Sequence, residues 1–377
     1  MWNKALFRKD YKQTKFILWA IVLICILALP LNTAVKLEQL RVELEEEDYN
    51  KYYFLDEESE IVDVDQYTVE SIYRRVLDSS IQLTNILLFI MIVLLASVMI
   101  GAERGNKTND FTFSLPFRRK QIFLSKWMLG STVVAASYIV NYFLAHCIIY
   151  FSEFGSYLHW DLSLYFVVYS LVALLAMYTF SLCIGTFTGG VIYQIAVSVI
   201  FLIFPMGIIL LLASLFDAHT ASSYVSWNEW AFLRGLERVS YDIFLFQYNM
   251  NLQGLLYDFN HRWFDIPIQE MKASYIQLLI PLGYIAAFVP LGVLLYEKGN
   301  IEHNGKFILF DKLQSVFHLG MVVCFALLGG MLVSDFTPYN LRESRIYFYY
   351  AGFIGAGLLF YFISRKLLNM KLQLFSK

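Results

Sequence analysis

Charge is what this sequence has little of. Asp, Glu, Lys and Arg make up 16% of its 377 residues, where a soluble domain carries about a quarter. The shortage is uneven: positions 162–216 hold none of the four over 55 consecutive residues. Cysteine is also scarce. The four (Cys25, Cys147, Cys183 and Cys324) all lie in apolar runs, and no CxxC pair occurs. That excludes a disulfide framework and reads as inert buried thiols. The six histidines include no HExxH or other close ligand pair, so no metal site is expected. A phosphate loop is missing too. Residues 101–108, GAERGNKT, mimic G-x-x-x-x-G-K-[ST] only with Asn106 in place of the second glycine. They follow a long apolar run rather than the strand such a loop requires. No nucleophile–base pair stands out. The chain therefore reads as a non-enzyme with no cofactor, no nucleotide site of its own and no nucleic-acid partner.

Apolar length is what the chain has in excess. It is 58% hydrophobic with a mean hydropathy of +0.55. About 20 apolar residues at 1.5 Å each cross a bilayer's hydrocarbon. The runs 16–34, 81–101, 127–151, 164–184, 191–215, 275–296, 315–333 and 346–367 meet that requirement. The expected fold is an all-α polytopic membrane protein with about eight transmembrane helices. Gly185, Gly189 and Gly190 mark the turn between the fourth and fifth. Gly352 and Ala356 form a small-xxx-small pair in the eighth. No small-residue cleavage site stands out after the first run, which is read as a retained span.

Five polar stretches stand out before and between these runs. Residues 1–15 place Trp2, Leu6, Phe7 and Tyr11 near one face, with Lys4, Arg8, Lys9, Lys12 and Lys15 mostly elsewhere, which predicts an amphipathic interfacial helix. Residues 35–80 carry the acidic run Glu43, Glu45, Glu46, Glu47 and Asp48. Residues 216–274 are dense in aromatics, which suit a membrane–water interface. Residues 297–314 form a short link. With eight spans, 18 of the 29 basic residues fall on the side of the termini and 11 on the other, while the acids divide 6 to 25. Basic residues stay inside, so both termini are expected to be cytoplasmic and 35–80 and 216–274 extracellular.

The remaining polar stretch, 102–126, is the most informative. It holds six basic residues against two acids. Leu115-Pro116 interrupts it, and Phe117, Gln121 and Leu124 then follow at helical spacing. A short basic helix held between two spans suits docking on a cytoplasmic partner. Within the third span, Asn141 and His146 are candidates for lining a substrate path, because polar and ionisable groups in a span are functional by default.

The stretch also carries a resemblance. Glu103-Arg104, Gly105, Thr108, Leu115-Pro116, Arg118 or Arg119, Ile122 and Lys126 resemble the motif of the ABC-2-type ABC transporter permeases, roughly E-[RK]-x-x-G-T followed by L-x-x-P-x-x-R-x-x-I and a lysine. Gly105 and Thr108 are separated here rather than adjacent. The layout of the first six spans is similar to that family's six-helix core. The two added C-terminal spans and the large loops resemble a Gram-positive subgroup, the Ytr-type permeases. The resemblance implies a bacterial plasma-membrane exporter subunit that dimerises with a second copy or a sister permease. It also implies that the segment around 115–123 is a coupling helix seated in a separate ABC ATPase subunit. Glu103, Arg104, Leu115, Pro116, Phe117, Arg118, Arg119, Lys120, Ile122 and Lys126 would be the ATPase-coupling residues. Arg118, Arg119 and Lys120 would pair with acids on the ATPase or with membrane lipids. An amphipathic or lipid-linked cargo fits the aromatic outer segment. The alternative is a subunit for antimicrobial-peptide sensing or immunity, using the acidic outer segment.

Overall fold

The computed structural model describes residues 4–45, 71–106, 109–158, 160–220, 231–246, 248, 276–299, 307, 309, 311–337 and 344–369. Positions 46–48 of the acidic run, Lys107, Thr108, residues 221–230 and 249–275 of the aromatic segment, 300–306 of the following link and the tail 370–377 lie outside the described residues. Among the described residues the fold is helical without strands, and eight helices are long and apolar enough to cross a membrane. In chain order the helices are α1 (Lys4–Ile26), α2 (Asn32–Glu45), α3 (Ser79–Ala96), α4 (Ala102–Gly105), α5 (Asn109–Ser114), α6 (Arg119–Tyr150), α7 (Trp160–Gly185), α8 (Val191–Thr220), α9 (Ala231–Ile243), α10 (Leu279–Lys298), α11 (Asp311–Asp335) and α12 (Arg345–Asn369).

The helices outrun the apolar runs that announce them. No break occurs at 15/16, where the composition predicts the end of an interfacial helix. Leu6, Asp10, Thr14, Leu18, Ile21 and Cys25 are buried at steps of three and four, so one packed stripe runs through the whole of α1. Pro30 lacks an N–H, and the chain absorbs it in a π turn at Leu27–Leu31, where the Asn32 N–H reaches the Leu27 carbonyl. Helix then resumes as α2, so the polar segment beginning at 35 opens as helix. The start of the next helical stretch lies alongside it, with Arg75 Nη1 2.9 Å from Glu43 Oε2.

The chain divides into two compact units. The first comprises Met1–Leu95, Ser125–Thr179 and Leu245–Ala287. Its helices are joined by polar pairs inside an apolar setting: Asn32 Nδ2 donates to Ser80 Oγ (3.0 Å), Asn85 Nδ2 to Ser170 Oγ (3.3 Å), and the Tyr142 hydroxyl to the Ser163 carbonyl (2.7 Å). Such bonds substitute for the hydrophobic effect, which does little between helices in lipid.

The second unit comprises Ala96–Leu124, Phe180–Phe244 and Phe288–Lys377. In it α11 and α12 form a tight hairpin. Phe325 stacks on Phe360 with ring centres 3.8 Å apart. A Cβ at Gly329 would stand 2.8 Å from the Gly352 carbonyl oxygen and would also meet Ala356, so the small residues set the helix separation. Gly352→Leu is expected to cost about 1–3 kcal/mol through overpacking. The check is loss of the disulfide cross-link between cysteines placed at 325 and 360.

Candidate functional site

In the second unit the polar stretch is a helix–turn–helix in miniature. A π turn at Ser97–Gly101 leads into α4. α5 ends at Ser114, before Leu115, because a residue preceding proline is pushed out of the helical region. The Phe117 N–H then closes a tight turn onto the Leu115 carbonyl at 2.7 Å. At the start of α6 the Arg118 N–H donates to Gln121 Oε1 at 3.1 Å, the reciprocal half of a capping box. This places the secondary structure differently from the expectation. Residues 115–118 form a turn, and the helix after Pro116 is the first turn of the 32-residue α6 rather than a separate short helix.

Two arginines hold this stretch against its own unit. Arg104 is buried and donates from Nη1 to the Thr188 carbonyl at 3.0 Å, with its guanidinium 5.9 Å from the Tyr296 ring centre. Thr188 lies in the glycine-bearing turn between α7 and α8. Arg119 donates from Nη1 to the carbonyls of Glu297 (2.9 Å) and Gly299 (3.0 Å). These lie at the C-terminal end of α10, where carbonyls lack intrahelical partners and the dipole favours a cation. Phe113 packs on Arg119 at 4.3 Å and meets Tyr296 edge-on at 5.5 Å. The Leu309 N–H donates to the Phe187 carbonyl at 2.9 Å. A Cβ at Gly101 would stand 2.9 Å from Val191 Cα, so glycine is what lets this turn approach α8. The described parts of the connections that follow α3, α7 and α10 are thereby tied to one another. Arg119→Met is expected to free the end of α10 at a cost of about 1.5–3 kcal/mol. Faster amide exchange at 297–299 would register it.

In the first unit lies a buried ion pair. Lys126 Nζ stands 3.1 Å from Asp10 Oδ1, with the two side chains 0% and 1% exposed. Ser125 Oγ donates to Asp10 Oδ2 at 3.1 Å. The Tyr178 hydroxyl donates to the Lys126 carbonyl at 2.8 Å, and Trp127 Nε1 donates to Thr179 Oγ1 at 2.9 Å. Gly130 leaves the room that the Tyr178 hydroxyl occupies. The base of α6 is thus fastened both to α1 and to α7.

The ten coupling candidates separate by exposure. Pro116, Arg118 and Lys120 are exposed, and Leu115, Phe117 and Arg119 are partly so. Glu103, Arg104, Ile122 and Lys126 are buried, and Arg119 is engaged with carbonyls, so these five form the support rather than the outward face. Two residues escape the sequence reading. Phe111 on α5 is 67% exposed, an apolar ring on the same outward stretch. Asp10 has a signal in the sequence, as the one acid among five bases in the first fifteen residues. Asn141 and His146 are both buried in the first unit. Asn141 Nδ2 donates to the Ser137 carbonyl at 2.7 Å, while its Oδ1 and both His146 ring nitrogens have no hydrogen-bond partner among the described residues. The His146 ring packs 4.2 Å from that of Trp160. Among the described residues, no group of His, Cys, Asp and Glu is placed to hold a metal.

Comparison with known proteins gives a consistent result. The model of a family described as "ABC-2 family transporter protein" matches residues 5–300. The probable ABC transporter permease YtrC of Bacillus subtilis is 28% identical over 251 residues, covering 66% of this chain and 70% of that one. The probable ABC transporter permease YtrD of the same organism is 26% identical over 280 residues, covering 70% and 71%. No solved structure gives a significant match.

Proposed function

Since this chain belongs to the ABC-2 family of transporter proteins, and is the membrane-embedded permease subunit of an ABC transporter, we propose that it exports an amphipathic or lipid-linked substrate with ATP hydrolysed by a separate subunit. The ATPase docks on the exposed strip from Phe111 through Pro116, Arg118 and Lys120 to Gln121. The observation that carries this reading is the support beneath the strip. Arg104 and Arg119 fix it to neighbouring connections, and α6 runs without interruption from Arg119 to Tyr150. A push on a stiff helix end is passed on as rigid-body motion, which a loose loop would absorb.

The excess of basic residues on the strip's side of the membrane supports a cytoplasmic strip and cytoplasmic termini. Scarce charge within the spans supports an amphipathic cargo rather than a small ion. The unsatisfied polar atoms of Asn141 and His146 support a place on its route, where passing polar groups would pair with them. The subunit works as a pair, with a second copy or a sister permease. The test is gentle solubilisation followed by identification of what co-purifies. An ATPase that is retained by the intact chain and lost on deletion of 111–121 is the expected result. Retention after that deletion would place the docking site elsewhere.

A further inference from the structure

One cleft in the first unit takes no part in this scheme. It has a volume of about 420 Å³, within the roughly 300–1,000 Å³ of small-molecule sites. One wall is a face of α2, with Leu37, Glu38 and Arg41; the other is the end of α6 and the turn after it, with Ile148, Phe151 and Glu153. Arg41 Nε lies 3.3 Å from Glu153 Oε1, and the two side chains are 51% and 57% exposed. A pair this open to solvent holds only weakly and exchanges partners at little cost. Glu38 is exposed, and its carboxylate has no hydrogen bond or ion pair among the described residues. Phe151 is 82% exposed, with Tyr150 exposed next to it in the chain and the exposed Trp160 ring 6.4 Å from that of Tyr150. Unburied aromatics at the end of a span mark the membrane–water boundary. The cleft thus offers both signs of charge above an apolar floor at headgroup level.

We propose that this cleft binds the headgroup of a zwitterionic aminophospholipid. The phosphate pairs with the Arg41 guanidinium, whose planar fork suits phosphate oxygens. The primary ammonium, with three N–H donors, lies between the carboxylates of Glu38 and Glu153. The glycerol and first chain carbons rest on Leu37, Ile148 and Phe151. Among the described residues of the cleft, a purely anionic headgroup would face two carboxylates against one guanidinium. A trimethylammonium headgroup has no N–H to give them. The site therefore prefers phosphatidylethanolamine to both phosphatidylglycerol and phosphatidylcholine. It does not depend on where the ATPase docks.

The experiment uses the full chain, purified in a neutral detergent and titrated with each of the three lipids, with bound lipid read by native mass spectrometry. Phosphatidylethanolamine is expected to bind best. Arg41→Gln and Glu38→Gln are each expected to weaken it about tenfold through loss of a charged hydrogen bond. Glu38→Gln also narrows the gap from phosphatidylcholine. Glu38 is exposed and unpaired among the described residues, so this variant leaves the fold intact even if Arg41→Gln does not. Equal binding of the three lipids, a preference for phosphatidylglycerol, or an unchanged preference in Glu38→Gln would overturn the assignment. So would soluble phosphoethanolamine binding as tightly as the lipid, since the apolar floor would then contribute nothing.

Discussion

Lys126→Met is expected to destabilise the protein by about 3–5 kcal/mol, the cost of leaving a buried charge without its partner. Asp10 would remain at the same depth, its carboxylate keeping the hydrogen bond from the Ser125 hydroxyl but not its countercharge. Asp10→Asn is the converse case. It keeps an acceptor for Ser125 but removes the countercharge of the buried Lys126 ammonium, so a loss of the same order is expected. Removing both charges together differs from either. Asp10→Leu with Lys126→Met replaces the pair by apolar volume, and such replacements are often neutral or stabilising by about 1–4 kcal/mol. The double variant should therefore recover most of what each single one loses. Thermal unfolding in detergent of the parent, Lys126→Met, Asp10→Leu and the double closes the cycle. Additive losses would mean that the two side chains do not act as a pair. The functional consequence is separable. The pair ties the base of α6 to α1, so a double variant that folds normally keeps ATPase association if the pair is only a structural fastening.

The spans are legible in the sequence because the bilayer imposes a length on them, and little besides a bilayer accommodates an uncharged run as long as 162–216. Their ends are not, because a helix leaving hydrocarbon continues for as long as one face has something to pack against. α1 shows this. The stripe from Leu6 to Cys25 passes through residues that composition assigns to an interfacial segment, and Asp10 sits on that stripe in steps of four from Leu6 and Thr14. A lone acid in the apolar register of a basic segment implies a basic partner, but the partner stands 116 positions away and nothing local names it. Lys126 reads as outward-facing for the same reason: a charge is solvated unless something distant takes it. Arg104 and Arg119 are beyond reach differently, since their acceptors are main-chain carbonyls of Thr188, Glu297 and Gly299, which leave no trace in side-chain identity. Pro116 does mark a break. It does not say which side is the short helix, because the half capping box from Gln121 lets α6 begin immediately afterwards.

Arg118→Glu with Lys120→Glu is expected to weaken ATPase association by about tenfold or more while leaving the permease as stable as before. Both side chains are exposed. Arg118 bonds to Gln121 and Ile122 through its backbone N–H and carbonyl, which the substitution keeps. Glutamates at the start of α6 also lie at the positive end of the helix dipole, which favours the fold by a few tenths of a kcal/mol. Against an acidic partner surface the same glutamates would be like charges, and such a juxtaposition costs several kcal/mol. The interaction in the parent should weaken as salt is raised, because exposed charges are screened over about 8–10 Å at physiological ionic strength. Phe111→Ala supplies the apolar counterpart: it should reduce association at every salt concentration, since burial of a ring does not depend on screening. Arg119→Met is the contrasting control, expected to lower stability and association together because it loosens the support. If the double reversal leaves association intact and salt-independent, Arg118 and Lys120 face lipid phosphates, and the ATPase takes its hold through Phe111 and the turn at Pro116 alone.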